Sequence, residues 1–472
     1  MQHLRRPTTA TTRTQRRDLA VRAAVSQGLV TDDANPLVGL LDLETIREAA
    51  ASLHDAFAQV AAPGQQVLHT FAIKASSLVP VLRYLDHLGI GCEAASPGEL
   101  ALAHAAGVSA ERTVLDSPAK TVDELREALQ RGVAVNADNP QELVRLDALR
   151  EQTRSDSPLG LRVNPQIGSG TIGAMSTATD TSKFGFPLRD PGAREAVIRA
   201  YRERPHLTRL HAHVGSQGCP LELMAQGVQA THQLAEEINA TVGRQQITTL
   251  DIGGGLPVNF DTEDVTPSYE RYARLLADTV PALFDGRYGL VTEFGRSLLA
   301  KAGTILARVE YAKTAGGRPI AVTHAGAQVA TRTVFAPSSW PLRVTGYDPH
   351  GHPKQGPAVA QDVAGPCCFA GDLVATAREL PPLEAGDLVA LLDTGAYYFS
   401  NPFGYNSLPR PGVYGFTLPE DETGAGPGTE PAAENTPATP GGIRFATVRE
   451  PQSIAQVVAE SGLDQRDALL PR

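Results

Sequence analysis

Side chains that could do chemistry follow short apolar runs at several places in this 472-residue chain. Lys74 ends the run in "FAIKAS", and an amine there suits Schiff-base formation, although a surface lysine reaching into solvent is the simpler alternative. His211 and His213 in "HAHVGSQ" would lie on one face of a strand. They could ligate a metal, stack on an aromatic cofactor or be buried in the core. No carboxylate follows them at metal-ligand spacing.

Two further motifs add a phosphate site and an acid. Gly253, Gly254 and Gly255 in "DIGGGLP" would expose backbone N–H groups that can cradle a phosphate. Glu293 in "TEFGR" could hold a proton on a ring nitrogen, and Arg296 could bind a phosphate or a carboxylate. A structural Glu–Arg ion pair is the alternative. A lysine, a ring-stacking histidine, phosphate-binding glycines and an acid for a ring nitrogen together describe a pyridoxal-phosphate site.

The elements that must position these residues are strands alternating with amphipathic helices. This alternation implies parallel βαβ units, and eight of them predict a (β/α)8 barrel with its active site at the carboxyl ends of the strands. A doubly wound sheet is the alternative, but its glycine-rich turn would follow the first strand, whereas here it follows the seventh. The eight strand-like runs are residues 67–73, 90–95, 113–116, 133–138, 159–164, 207–214, 247–252 and 289–293.

Helix-start signals support the same alternation. Ser96, followed by Pro97 and by Glu99, reads as a capping box. Asn139 before Pro140 reads as an N-cap with proline at the first helical position. These residues are therefore assigned to helix capping and not to the site.

The composition and the predicted secondary structure of the chain change on both sides of the barrel. An N-terminal extension (1–34) is rich in Arg and Thr without an apolar stripe, so we expect a disordered or short helical segment in preference to a transit peptide. Residues 35–60 would lead into the PLP-binding barrel, residues 61–300. Strand-like runs without intervening helices predict a C-terminal β-sandwich or β-barrel-like domain (301–472), with a low-complexity loop at 419–442.

Composition excludes several classes of partner. The 42 Lys and Arg residues against 52 Asp and Glu residues give a net charge of −10, which argues against nucleic acid or an anionic membrane. No apolar run approaches the ~20 residues needed to span a bilayer. The 4 cysteines are too few for a disulfide framework and lack zinc-ligand spacing. We therefore expect a cytoplasmic protein with no metal.

The motifs in this order resemble those of the fold-type III PLP-dependent amino-acid decarboxylases, the group that includes diaminopimelate, ornithine and arginine decarboxylases. The resemblance covers residues 35–416 and is strongest to the diaminopimelate branch. It rests on seven stretches: "FAIKAS", "CEAASPGEL", "HAHVGSQ", "DIGGGLP", "TEFGR", "GPCCFAGD" and "DTGAYYFSNPFGYN".

The resemblance implies a role for each matching residue. Lys74 would be the Schiff-base lysine, His213 would stack on the pyridine ring, and Glu293 would pair with the ring nitrogen. The residues at the phosphate would be Ser216, Gly253, Gly254, Gly255 and Tyr405, with Arg296 beside either phosphate or substrate.

The family completes each site across a homodimer, which implies that Cys368 and Asp372 come from the neighbouring subunit. Cys368 would reprotonate Cα after CO2 leaves. Cys367 would be a packing residue, with a vicinal-thiol redox switch as the alternative.

Three positions depart from the family pattern. The diamino-acid enzymes carry an acid directly after the cysteine, where this chain has Phe369, so a standard pocket for a distal ammonium is doubtful unless Asp372 replaces that acid. Phe294 stands in place of a proline and His324 in place of an acid. The loop 163–185, rich in Gly, Ser and Thr, could gate the site or recognise a larger substrate.

These departures leave the substrate open. Decarboxylation of meso-diaminopimelate to L-lysine is the leading activity, and decarboxylation of a modified or conjugated amino acid, as in siderophore or antibiotic pathways, is the alternative. A racemase or epimerase and a non-catalytic homologue are weaker alternatives, because the "GPCC…D" motif matches decarboxylases and both Lys74 and Cys368 are retained.

Overall fold

A computed structural model describes three stretches of the chain, residues 11–31, 34–418 and 442–470. The predicted low-complexity loop lies outside the described residues apart from Gly442, and so do the first ten residues of the N-terminal extension. Within the described stretches, no helix combines the length and the apolar character needed to cross a membrane.

The chain folds into two compact units, each formed by more than one stretch of sequence. We call Ile46–Asn259 with Asp264–Ala300 the barrel unit. The sheet unit comprises Met1–Thr45, Phe260–Glu263 and Lys301–Arg472.

The first helix, α1 (Arg13–Ser26), lies in the extension that was expected to be disordered or a short helix. A capping box between Thr12 and Gln15 starts it. Its Arg16 is buried, and Arg16 Nε lies 2.7 Å from Asp42 Oδ2 at the end of strand β1 (Leu37–Asp42). This partner is distant in sequence, so the composition of the Arg/Thr-rich segment does not reveal that the helix is ordered.

Eight parallel strands close into a barrel, which confirms the prediction. They are β2 (Val67–Ala72), β3 (Gly91–Ala94), β4 (Thr113–Leu115), β5 (Ala134–Ala137), β6 (Leu159–Asn164), β8 (Leu207–His211), β9 (Thr249–Asp251) and β10 (Gly289–Phe294), with a short strand β7 (Phe186–Pro187) beside β6 outside the ring. The ring is closed because β2 pairs with both β3 and β10 while β5 pairs with β6. Strands β3 to β6 are buried at every position, as expected for parallel strands covered on both faces.

Helices follow the strands in the order that the sequence predicts. They are α2 (Leu43–Ala58), α3 (Val79–His87), α4 (Pro97–Ala105), α5 (Val122–Arg131), α6 (Pro140–Thr153), α7 (Ala193–Glu203), α8 (Leu221–Val242), α9 (Tyr269–Thr279) and α10 (Arg296–Leu299). Asn139 caps α6 as predicted. Ser96 caps α4, but the Glu99 carboxylate accepts the N–H of Ala95 instead of that of Ser96, so the predicted capping box forms only in part.

The sheet unit is built mainly from strands, as the sequence predicts. Its elements after residue 300 are β11 (Gly303–Ala315), β12 (Arg318–Thr323), α11 (Ala327–Phe335), β13 (Val344–Tyr347), β14 (Val359–Ala364), β15 (Leu373–Leu380), β16 (Leu388–Leu392), β17 (Gly412–Thr417), β18 (Arg444–Arg449) and α12 (Ile454–Glu460). The N-terminal strand β1 lies between β11 and β17 in this sheet. Residues before the barrel therefore complete the C-terminal sheet.

Candidate active site

Lys74 lies immediately after β2, in a short 3-10 turn, Ile73–Ala75. Its Nζ donates to Glu93 Oε2 over 2.7 Å. The Glu93 side chain on β3 is only 1% exposed, whereas that of Lys74 is 46% exposed. The buried carboxylate thus anchors an accessible amine at the mouth of the barrel, and Glu93 gains a role that the motif analysis did not assign to it.

His213 lies in the turn after β8, and its ring orientation is set by the glycine segment. The N–H of Gly254 donates to His213 Nδ1 over 3.1 Å, so a neutral ring carries its proton on Nε2. Burial, together with the positive charges of Arg162, Lys74 and His211, lowers the pKa of His213 well below its usual range. A neutral, oriented imidazole is suited to stacking on an aromatic ring.

The prediction that His211 and His213 share a strand face is wrong, because β8 ends at His211. His211 joins a fully buried group with Asp116, Asp251 and Glu293, in which one nitrogen or oxygen atom of each side chain lies within 4.8 Å of the others. His213 is not part of this group. The alternative of a metal held by both histidines is therefore not supported among the residues that the structure describes.

We call Asp116, His211, Asp251 and Glu293 the buried acid cluster. His211 Nδ1 lies 3.3 Å from Asp251 Oδ1, and His211 Nε2 lies 3.9 Å from Asp116 Oδ2. Asn136 donates to Asp116 Oδ2 over 3.2 Å. The members follow β4, end β8 and β9, or lie on β10, so no spacing in the sequence brings them together.

Electrostatics shifts the pKa values of three cluster members in different directions. Burial opposes ionisation of Asp116, but His211, the hydrogen bond with Glu293 and nearby cations lower the pKa of Asp116. Burial would lower the pKa of His211, but the charges of Asp116 and Asp251 raise it. Burial, reinforced by Asp251, Asp116 and Glu93, raises the pKa of Glu293 well above its usual range.

The three predicted phosphate-binding glycines are required by close backbone packing. Gly253 and Gly255 have φ of +66° and +96°, which L side chains rarely adopt. A Cβ on Gly254 would lie 2.0 Å from the carbonyl oxygen of Glu293, and one on Gly255 would lie 1.8 Å from that of Gly215. The glycines therefore allow the chain after β9 to run against the ends of β8 and β10. Their phosphate contact stays a prediction.

The loop 163–185 packs against the turn that carries His213. Met175 accepts the N–H of Ser216 over 3.0 Å, and the N–H groups of Thr177 and Ala178 both donate to Val214. The backbone N–H of Ser216 is thus occupied by the loop, and the predicted phosphate contact of Ser216 would have to use its hydroxyl. A gating role for the loop stays a prediction.

Two arginines belong to the barrel site. Arg296 is buried at the first position of α10, directly after β10. Arg162 on β6, which sequence analysis missed, is also buried, and its guanidinium carbon lies 4.3 Å from the centre of the Phe184 ring. The positive charge of Arg162 contributes to lowering the pKa of both Asp116 and His213. An arginine inside a buried strand was the signal that could have identified it.

The two adjacent cysteines of the sheet unit have different surroundings. Cys367 is buried, and burial together with the Asp372 charge raises the pKa of its thiol to about 11. This agrees with a packing residue. Cys368 is exposed, its N–H donates to Asn406 Oδ1 over 2.8 Å, and its carbonyl accepts from the Tyr405 hydroxyl over 3.3 Å. The exposed thiol is the one available for proton transfer.

The prediction of Asp372 as a substrate residue needs correction. Its side chain is buried, and its two carboxylate oxygens accept the N–H groups of Ala327 and Cys367 over 2.6 and 2.7 Å. A Cβ on Gly326 or Gly365 would collide with this carboxylate at 2.3 Å. Asp372 therefore holds the turn that carries Cys368 and is not available to a distal ammonium.

Phe369 belongs to a closed set of four aromatic rings, which we call the ring quartet. Phe369 stacks on Phe335 with ring centres 5.6 Å apart, and Tyr405 stacks on Phe403 at the same separation. The two pairs meet edge to face, at 5.4 Å between Phe369 and Tyr405 and at 5.5 Å between Phe335 and Phe403. Phe335 is 57% and Tyr405 38% exposed. The surface beside Cys368 is therefore aromatic.

Comparisons with known proteins agree with this geometry. Residues 43–300 match the family described as pyridoxal-dependent decarboxylase, pyridoxal binding domain. Diaminopimelate decarboxylase of Aquifex aeolicus is 30% identical over 346 residues, which are 72% of this chain and 78% of that protein. The enzyme of the same name from Pseudomonas fluorescens is 33% identical over 355 residues, 74% and 80% of the two chains. The chain belongs to the pyridoxal-dependent decarboxylases.

Solved structures show the same fold for this pyridoxal-dependent decarboxylase. Diaminopimelate decarboxylase from M. jannaschii in co-complex with L-lysine superposes with a TM-score of 0.77 at 22% identity, covering 93% of this chain and 94% of that one. Lysine/ornithine decarboxylase from Vibrio vulnificus complexed with putrescine gives 0.68 at 25% identity, covering 84% and 97%.

The residues present fit pyridoxal 5'-phosphate, the cofactor of the pyridoxal-dependent decarboxylases. Lys74 offers an accessible amine, and His213 a neutral ring. Glu293 is only 5% exposed, and its Oε1 has no hydrogen-bond partner among the described residues. A buried carboxyl oxygen without a partner is costly unless a ligand supplies a donor, as a protonated ring nitrogen would.

Proposed function

We propose that this protein decarboxylates meso-diaminopimelate to L-lysine, with pyridoxal 5'-phosphate held by Lys74, His213 and Glu293. The observation that carries the proposal is the unpartnered, buried Glu293 Oε1, in the same barrel mouth as the Lys74–Glu93 ion pair. The substrate is taken from the relatives, which are named diaminopimelate decarboxylases.

When bound, the cofactor supplies an electron sink for the electrons of the broken Cα–carboxylate bond. The protein's part is placement and proton control. Lys74 provides the amine, which Glu93 holds in position, and His213 presents a flat neutral face. Glu293 holds a proton at the ring nitrogen, and Cys368 donates a proton to Cα after CO2 has left.

We also propose that the protein is a cytoplasmic homodimer in which each site takes Cys368 and Tyr405 from the neighbouring subunit. The exposed Cys368 thiol and the exposed ring quartet support this proposal, since an apolar patch of this kind marks a surface that another molecule covers.

The direct test is CO2 release and lysine formation from meso-diaminopimelate by the purified protein loaded with cofactor. We expect turnover in the wild type and none in Lys74→Ala, which should also lose the visible absorption band of the imine-bound cofactor. Exchange of the Cα proton without CO2 release would identify a racemase or epimerase instead. A protein that lacks the absorption band would be a non-catalytic homologue.

A second substrate class is favoured by the ring quartet. The far end of diaminopimelate carries an ammonium and a carboxylate, and both would lose hydration against aromatic rings without a counter-ion. Asp372 cannot supply one, because its carboxylate is committed to two backbone N–H groups. An amino acid whose far end is acylated or otherwise capped would match this surface.

Competition between meso-diaminopimelate and an N-acylated diamino acid separates the two classes. If the capped class is correct, the wild type should favour the capped substrate, and Phe369→Glu should shift the ratio of kcat/KM values toward diaminopimelate by about tenfold, because it adds a counter-ion. Phe369→Leu, which keeps the surface apolar, is the control. A wild-type preference for diaminopimelate that Phe369→Glu leaves unchanged would reject the capped class.

A further inference from the structure

The buried acid cluster brings three carboxyl groups together around one histidine. Asp116, His211, Asp251 and Glu293 are each 5% exposed or less. With all three carboxyl groups ionised, the single imidazolium of His211 would face three anions in a site that is almost completely buried. Arg209, whose Nη2 lies 3.5 Å from Asp251 Oδ2, adds one cation. Repulsion between these closely spaced, buried carboxyl groups therefore favours a proton on one of them, as in paired buried carboxyls generally.

The hydrogen bonds and ion pairs of the three carboxyl groups indicate which of them keeps the proton. Asp251 accepts the N–H of Gly253 over 3.1 Å and faces both His211 and Arg209. Asp116 accepts from Asn136 and also faces His211. Both anions are stabilised by donors or cations.

Glu293 has neither kind of support. Its Oε1 has no hydrogen-bond partner among the described residues, and one of its carboxyl oxygens lies within 4.8 Å of an oxygen of the Asp116 carboxylate. The proton is thus best placed on Glu293, from which it can be donated to Asp116. The other charges that reach the cluster act in the same direction: Glu93 opposes ionisation of Glu293, and Arg162 and Lys120 favour ionised Asp116.

We propose that Asp116 and His211 are positioning residues that keep a proton on Glu293 in the cofactor-free protein, ready for the ring nitrogen of the cofactor. The inference rests on the proposed pairing of Glu293 with that nitrogen. Either protonation state of the incoming cofactor can be balanced. If the ring nitrogen arrives unprotonated, the neutral carboxyl group of Glu293 would give its proton to that nitrogen, which leaves a carboxylate beside a ring N–H. If the ring nitrogen arrives protonated, the proton of Glu293 would leave to solvent and the same pair would result.

Infrared spectroscopy of the cofactor-free protein tests the first half of this proposal without any activity measurement. At neutral pH we expect a carboxylic acid C=O band that Glu293→Gln removes. Asp116→Asn should lower the pH at which the band disappears by at least about one unit, because the opposing anion is gone. His211→Asn should add a second acid band, since Asp116 loses its cation.

The matched control is Asp147→Asn. Asp147 lies on the outside of the barrel, where it forms an ion pair with Arg204, so this variant should leave the spectrum of the cluster unchanged. If the wild-type protein shows no carboxylic acid band that Glu293→Gln removes, the proposal is wrong. This comparison does not require the Asp116 variant to fold. A stoichiometric divalent metal found by elemental analysis would overturn it as well, because the metal would then balance the cluster.

Calorimetric titration with pyridoxal 5'-phosphate in buffers of different ionisation enthalpy tests the second half. Glu293→Gln is the reference for the protons of the phosphate group, the ring nitrogen and the Lys74 amine, and we expect the wild type to take up no more protons than this variant at neutral pH. Uptake of about one proton per site more than the variant would show that Glu293 is already ionised and would reject the proposal. Failure to bind the cofactor at all would instead reject the proposed function, while the spectrum of the cofactor-free protein would still report on the cluster.

Discussion

At the scale of single residues, the barrel site depends on close contacts that leave no room for additional atoms. The turn after β9 passes within van der Waals distance of the turn after β8, and only glycine fits between them. The same turn gives His213 its hydrogen bond from Gly254. The shape of the site and the orientation of the His213 ring therefore have one origin.

Gly255→Ala should damage both stability and cofactor binding. Its Cβ would lie 1.8 Å from a backbone oxygen, at a φ of +96°, so the turn must shift. We expect a loss of about 3 kcal/mol in the free energy of unfolding and a cofactor affinity weaker by at least tenfold. Gly173→Ala is the control, because nothing lies within 4 Å of its Cβ. Thermal unfolding and cofactor titration measure the two effects, and equal behaviour of the two variants would contradict the prediction.

At the scale of elements, ion pairs join helix α1 to other segments of the sheet unit. Arg17 Nη1 lies 2.6 Å from Glu263 Oε1, and Arg343 Nη1 lies 2.8 Å from the same oxygen. Glu263 belongs to the short segment Phe260–Glu263, which interrupts the barrel sequence and folds with the sheet unit. The helix and this segment therefore share one set of ion pairs.

The Glu263 ion pairs should make the sheet unit sensitive to acid. Burial opposes ionisation, but the hydrogen bonds of Arg343 and Arg17 lower the pKa of Glu263 from its ordinary value of 4.5 to about 2. The lowered pKa stabilises the folded state above pH 4.5, and this stabilisation is lost as the pH falls from 4.5 toward 2. Chemical denaturation at several pH values should show that Glu263→Gln flattens this decrease.

Glu270→Gln is the control for the Glu263 variant. Glu270 pairs with Arg274 on the exposed face of α9, where 52% of its side chain reaches solvent. We expect the wild-type decrease in stability with acid to persist in this variant, because an exposed pair contributes little. If Glu263→Gln loses stability with falling pH as steeply as the wild type, the ion pairs of Glu263 do not stabilise the sheet unit.

At the scale of the whole molecule, the proposed homodimer predicts complementation between inactive chains. Lys74→Ala and Cys368→Ala should each be inactive alone. When the two chains are mixed and allowed to exchange, half of the dimers combine them, and each such dimer has one site with both wild-type residues. We therefore expect about a quarter of the wild-type rate. No recovery, with subunit exchange verified by mass, would show that each site uses Lys74 and Cys368 of one chain.

The sequence by itself determined the barrel and the positions of its strand-end residues. The alternation of buried strands with amphipathic helices is a local pattern, and a residue that follows a parallel strand must lie at the mouth. For this reason Lys74, Glu293 and the three glycines could be placed at the barrel mouth from the sequence, while their roles there stay predictions.

Only the tertiary structure decided how these residues are paired. Asp116 and Glu293 come from different strands, and only barrel closure brings their carboxyl groups together. Likewise Asp372, which the motif suggested for the substrate, turns inward and accepts the backbone N–H groups of Ala327 and Cys367. Strand β1 joins the C-terminal sheet by long-range pairing. Such contacts depend on packing between distant segments, which local patterns do not record.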